Sequence, residues 1–268
     1  MDYFFIQQDD IPSGMGYPLF GPAHILSVLI TLFLVCLACL GFRKLSEDRK
    51  RRVLRFIPIL MIFLELLKDT ILIIKHRFGV GYLPLHMCSI GLFVFLLREF
   101  LPSRKQVDIT PEQDTPNKST PQAIFGEIAF AMIMPASLAA LLFADWNMYP
   151  VLNFFNLHGY LWHGLLILYP LLLRTNGFIS PTVRHIHWIF IFLAIVVPPI
   201  YLFDKAFKCN YFFVNWPIPD SPLSLFAKWF GNPGYLAAYL AFTVVVILIV
   251  YLLNNLFTKF TNKSARSD

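Results

Sequence analysis

His86 and Cys88 stand two positions apart in the stretch LPLHMCS, residues 83–89, which opens an apolar run reaching about Leu97. An imidazole and a thiol are costly at the mouth of a membrane helix, and together they can make a nucleophile with its base, a metal site or a redox site. Alone, such a cysteine is more often a small apolar filler. On an ideal helix two residues at this spacing point about 160° apart. They converge only if Pro84 leaves the turn before the helix extended.

Other ionisable groups fall at matching depths. Glu65, Lys68 and Asp69 share one apolar stretch, with Glu65 and Lys68 spaced i, i+3 so that they can pair on one face. His158 and His163 lie on a later stretch, and Gly164 after His163 allows a close approach. Asn210 and Tyr211 follow the sixth stretch. Each has a plainer reading as an intramembrane ion pair, an interfacial side chain or a helix-to-helix hydrogen bond. Cys36 and Cys39 form a C-x-x-C pattern inside an apolar helix and read as packing rather than redox residues. Cys209 could pair with Cys88 as a disulfide, a direct rival to a free thiol. Glu127 reads as an isolated acid, and His185 and His187 as interfacial residues at the opposite end.

The elements that must position these groups are membrane helices. The 268 residues are 57% hydrophobic and only 14% charged, with a mean hydropathy of +0.63. A soluble domain is nearer one quarter charged. The expectation is an all-α integral membrane protein, a single domain over residues 1–268. Its apolar spans lie at about 24–42, 53–74, 83–97, 124–143, 154–173, 187–203 and 235–257. Pro135, Pro170, Pro198 and Pro199 predict kinks or early helix ends. The net charge of +6 belongs to membrane topology rather than to nucleic-acid binding.

The basic residues orient this seven-helix bundle. Arg43, Lys44, Arg49, Lys50, Arg51, Arg52 and Arg55 cluster between the first two spans. Arg98, Arg104, Lys105, Lys118, Arg174, Arg184, Lys259, Lys263 and Arg266 fall on the same side. The other side holds only Lys75, Arg77, Lys205, Lys208 and Lys228, which places the N-terminus outside and the C-terminus in the cytosol. The first 23 residues carry Asp2, Asp9 and Asp10 without a basic start, unlike a cleavable signal peptide. Pro102–Gln122 reads as a flexible cytoplasmic loop, and the aromatic Asp204–Gly234 segment as a folded outer cap. In this topology Glu65, Lys68, Asp69, His86, Cys88, His158, His163, Asn210 and Tyr211 all reach the outer third of the bundle.

Six ordered elements carry a family resemblance: Phe20–Gly21–Pro22–Ala23–His24, Leu83 to Cys88, His163–Gly164, Pro181–Thr182, Asn210–Tyr211–Phe212, and Gly231, Pro233 with Tyr235. Together they resemble the YwaF-like bacterial membrane proteins and, more distantly, eukaryotic transmembrane acyltransferases that remodel ether phospholipids. The resemblance implies a seven-helix bundle in a bacterial plasma membrane. It also implies acyl transfer through a thioester on Cys88, with His163 as base. The bacterial pattern has an aspartate after the cysteine, where Ser89 stands here, so any role of that acid passes to Glu65, to Asp69 or to nothing. His86 would orient or polarise, with Glu65, Lys68, Asp69, His158, Asn210 and Tyr211 in support. The expected partners are membrane lipids, with no nucleic acid, no metal and no cofactor; oligomeric state is not legible. Two other readings of the same residues stay open. One is a transporter or ligand-binding bundle using Glu65, Lys68, Asp69, His86 and His163. The other is a zinc-type site from His86, Cys88, His163 and Glu65.

Overall fold

The computed structural model describes residues 3–102, 120–219 and 221–264, and is helical with no strand among them. The expected cytoplasmic loop at Pro102–Gln122 and its Arg104, Lys105 and Lys118 lie almost wholly outside these residues, as does Arg266.

Helix α1 spans Pro22–Arg43, α2 Glu47–Ile74 and α3 Met87–Phe100. Helices α4 (Pro121–Ile128) and α5 (Met134–Leu142) are continuous through a fully buried π-helical segment, Ala129–Ile133. Then come α6 (Phe154–Thr175), α7 (Ile186–Phe207), the short α8 (Pro222–Phe230) and α9 (Tyr235–Ser264). The seven expected spans thus fall on helices, with α3 starting later because Leu83 and His86 are extended. The prolines end no helix: Pro58 and Pro170 lie inside α2 and α6, Pro198 and Pro199 inside α7, and Pro135 in the first turn of α5.

Among the described residues, four helical stretches are long and apolar enough to cross a membrane: Pro22–Arg43, Pro121–Leu142, Val183–Phe207 and Tyr235–Lys259. The count falls short of seven for a physical reason. Helix α3 has only 14 residues. Helices α2 and α6 carry the polar groups singled out above, Glu65, Lys68 and Asp69 on one and His158 and His163 on the other. Helix α6 is the axis of the bundle. It buries side chains from Phe155 to Leu173 and packs against α1, α2 and α5. Its polar residues are therefore turned toward protein.

The two ends of the bundle are built differently. At the end carrying the α2–α3 and α5–α6 connections, here the upper end, residues 3–21 form a strap. Asn153 Nδ2 donates to the Tyr3 and Ile6 carbonyls at 2.9 and 3.0 Å. Gln7 Nε2 donates to Tyr82 Oη at 2.6 Å, and Arg77 pairs with Asp10. Tyr17 and Asn147 are joined twice: the Tyr17 N–H donates to the Asn147 carbonyl at 2.9 Å, and Asn147 Nδ2 to the Tyr17 carbonyl at 3.0 Å. His24 ties α1 to α5, its Nδ1 accepting the Phe20 N–H at 3.0 Å and its Nε2–H donating to the Leu141 carbonyl at 2.9 Å.

At the lower end Glu127 is not isolated. Its Oε1 accepts from Tyr251 Oη at 2.7 Å and the Thr182 N–H at 3.1 Å, and its Oε2 lies 3.3 Å from His185 Nδ1. Arg174 donates to Asn254 Oδ1 at 2.5 Å and to Thr258 Oγ1 at 2.6 Å, while Asn254 Nδ2 donates to the Pro181 carbonyl at 3.0 Å. This knot joins α4, α6, the start of α7 and α9. His187 beside it is exposed, as an interfacial residue would be.

Candidate functional site

Helix α2 supplies an ion triplet. Lys68 Nζ donates to Glu65 Oε1 at 2.8 Å and lies 3.3 Å from Asp69 Oδ1. Glu65 is 7% exposed, and Asp69 Oδ1 is buried without a hydrogen-bond partner despite its ion pair. The Lys68 charge is felt at His86 just before α3, at Cys88 on α3 and at His158 on α6. Helices α2, α3 and α6, which carry these groups, pack on one another.

Cys88 is the second residue of α3. The helix is preceded by His86, whose side chain makes no capping hydrogen bond. First-turn N–H groups have no intrahelical acceptor. Glu65 on α2 and Asp145 on the α5–α6 connection are the acids whose charge reaches the Cys88 thiol. All four cysteines are free, so the Cys88–Cys209 disulfide is not formed. Cys209 instead points its thiol at the Phe207 carbonyl at 3.6 Å.

His163, 6% exposed, has its Nδ1 at 2.8 Å from the Gly159 carbonyl. A carbonyl only accepts, so Nδ1 carries the proton and Nε2 keeps a lone pair. The Trp146 ring stacks on this imidazole with centroids 4.8 Å apart and planes 14° apart. Gly164 is close-packed, but against α1: a Cβ there would lie 3.0 Å from Thr31 Cγ2. His158 stacks on Trp162 at 5.5 Å, and its Nε2 is buried without a partner.

Several expected site residues have other work. No hydrogen bond joins His86 to Cys88 or to His163 among the described residues. The His86 ring turns to the aromatic connection after α7, meeting Tyr211 edge-on at 4.7 Å and Phe213 at 5.6 Å. Asn210 folds that connection, its Oδ1 accepting the Asn215 and Trp216 N–H groups and its Nδ2 donating to the Trp216 carbonyl. Tyr211 is 1% exposed; its N–H donates to Asp204 Oδ1 at 3.0 Å and its hydroxyl to the Val80 carbonyl at 2.5 Å. Both residues build the upper cap. Nor do Cys88 and His163 hydrogen-bond each other. Among the described residues no three His, Cys, Asp or Glu side chains converge as metal ligands would.

Two residues of the site escaped sequence reasoning, Asp145 and Trp146. Both lie on the α5–α6 connection, Asp145 exposed and Trp146 over the imidazole. The only signal was an acid and an indole side by side between two apolar runs. The shared motifs also divide. His24, Pro181–Thr182, Asn210–Tyr211 and Tyr235 are tied into structural hydrogen bonds. Leu83–Cys88 and His163–Gly164 bring side chains to the cluster.

A family model described as the TMEM164 family matches residues 19–257, and the chain belongs to that family of transmembrane proteins. No curated protein and no solved structure matches the chain.

Proposed function

We propose that this TMEM164-family chain is a phospholipid or lysophospholipid acyltransferase working through a thioester on Cys88. The observation that carries the reading is the seat of that cysteine. It is a free thiol in the first turn of a helix whose N-terminus has no side-chain cap, and the neighbouring helix α6 carries a histidine with an open Nε2. Helix N-termini favour negative charge, and a thiolate is the nucleophilic form.

In the first half-reaction His163 Nε2 takes the Cys88 proton and Sγ attacks the ester carbonyl of a donor lipid. The S–C bond forms, the ester C–O bond breaks, and the departing lysolipid oxygen takes the proton from His163. In the second, an acceptor hydroxyl gives its proton to His163 and takes the acyl group, restoring the thiol. Water in place of the acceptor makes the same chemistry a lipase. First-turn N–H groups of α3 are suited to the tetrahedral oxyanion. The approach of Sγ and Nε2 belongs to the substrate complex, since catalytic hydrogen bonds commonly tighten there.

The reading carries with it the single seven-span unit, with the upper end outside and the C-terminus in the cytosol of a bacterial plasma membrane. Relation to YwaF-like proteins and to ether-lipid acyltransferases belongs to the same proposal. Glu65, Lys68, Asp69 and His158 favour a second reading, a transporter or ligand-binding bundle, because the buried Asp69 Oδ1 and His158 Nε2 atoms have no hydrogen-bond partner among the described residues.

Intact-mass spectrometry after incubation with mixed phospholipids decides between them. Acyl transfer gives a mass adduct that neutral hydroxylamine removes and that Cys88→Ala abolishes. Protein that stays unmodified while Cys88 alkylates freely would overturn the enzyme reading in favour of the pocket.

A further inference from the structure

Gly159 does two things at once. Its carbonyl holds His163 Nδ1 at 2.8 Å, and its missing side chain makes the seat for Trp146. A Cβ at this position would lie 2.8 Å from Trp146 Cε2 and 2.9 Å from its Nε1. The same backbone unit therefore fixes the imidazole's tautomer and lets the indole lie flat on its face. Tyr160 closes on the indole edge-on at 5.7 Å, and the Tyr17–Asn147 bonds clamp the loop that carries it. The indole Nε1 is buried with no hydrogen-bond partner among the described residues. The ring's contribution at this place is thus its face rather than its N–H.

We propose that Trp146 is the positioning residue of His163, holding the imidazole so that Nε2 is presented to the Cys88 thiol and stabilising the imidazolium that forms when the proton arrives. The inference rests on the acyl-transfer reading and deepens it. An aromatic face attracts a cation, and more strongly where water is excluded. The stack also restricts the rotation of a side chain whose geometry the proton transfer depends on. Trp146 acts through His163 and takes no part in the bonds made or broken.

The test uses the full-length protein in detergent with Cys36, Cys39 and Cys209 replaced by serine, so that N-ethylmaleimide reports on Cys88 alone. Alkylation at neutral pH is followed by intact mass. It needs the thiolate but no lipid, so it reads the Cys88–His163 pair apart from acyl transfer. Trp146→Leu should slow alkylation about tenfold, and Trp146→Phe should restore the rate to within about threefold of wild type. In a His163→Ala background Trp146→Leu should change nothing further, because its effect passes through the histidine. Gly159→Ala, which displaces the indole from beneath, should reproduce the Trp146→Leu rate even if the leucine variant is poorly folded.

An alkylation rate indifferent to Trp146 and to Gly159 would overturn the inference. So would an equal slowing with and without His163, which marks a packing role only. Failure of the acyl-transfer reading shows separately, as absence of the hydroxylamine-labile adduct from wild-type protein.

Discussion

The upper cluster and the lower knot contain the same kinds of side chain and treat them oppositely. In the knot, both Glu127 carboxylate oxygens are engaged, by Tyr251, Thr182 and His185, and Arg174 and Asn254 pass their bonds on to Thr258 and Pro181. In the cluster, Asp69 Oδ1, His158 Nε2 and Trp146 Nε1 are buried without a hydrogen-bond partner, and Cys88 hydrogen-bonds neither histidine expected beside it. Buried polar groups are normally paired, and an exception asks for a reason. A satisfied network fixes which helices meet, whereas an unsatisfied one in the same bundle keeps capacity for something that arrives later. Arg98 Nε and Trp188 Nε1 at the lower end also lack a hydrogen-bond partner, so the contrast is between the two networks rather than between whole ends of the bundle.

The sharpest way to break that division is to remove one residue from each side. Cys88→Ala should abolish the acyl adduct, while folded protein and its thermal midpoint change little. Glu127→Ala should do the reverse. It strips partners from Tyr251, the Thr182 N–H and His185 together, and should cost about 3–5 kcal/mol of stability, read as a lower unfolding midpoint in detergent. Cys88 alkylation per folded molecule should be unchanged. A Glu127 variant that is stable yet inactive would merge the two regions.

Lys68→Met tests the boundary between them. It leaves Glu65 and Asp69 without their cation, which should cost about 1–3 kcal/mol. It also removes a positive charge that reaches Cys88, where the charges of Glu65 and Asp145 remain, so alkylation should slow. Faster alkylation would contradict this electrostatic placement. The smallest effect belongs to the C-x-x-C pair. Cys36 is exposed on α1 and Cys39 half-buried, and Cys36→Ser with Cys39→Ser should leave stability within about 0.5 kcal/mol and the adduct intact. Loss of the adduct there would restore a redox reading.

Hydropathy and proline placement made the helices legible, including the late start of α3 after Pro84. Span direction gave Glu65, Lys68, Cys88 and the α6 histidines one expected depth. What depth does not fix is which way a side chain faces around its helix. His86 therefore turned toward Tyr211 rather than Cys88, and Asn210 proved to be the fastening of its own loop. The Glu127 knot was invisible because its partners come from four separate stretches, Tyr251 being 124 positions away. Trp146 was invisible because loops carry no periodicity to say what lies beneath them.

The π segment at Ala129–Ile133 gives the continuous α4–α5 helix a setting as well as a length. A wider turn accommodates one residue more than an α-helix would. Removing that residue would rotate α5 by about 100° relative to α4, turning the Leu141 carbonyl away from His24 and swinging the ring that rests on His163. Five buried apolar residues near mid-bundle therefore act as a dial for the upper cluster, and chains of this family that gain or lose one residue there should differ in chemistry more than in shape.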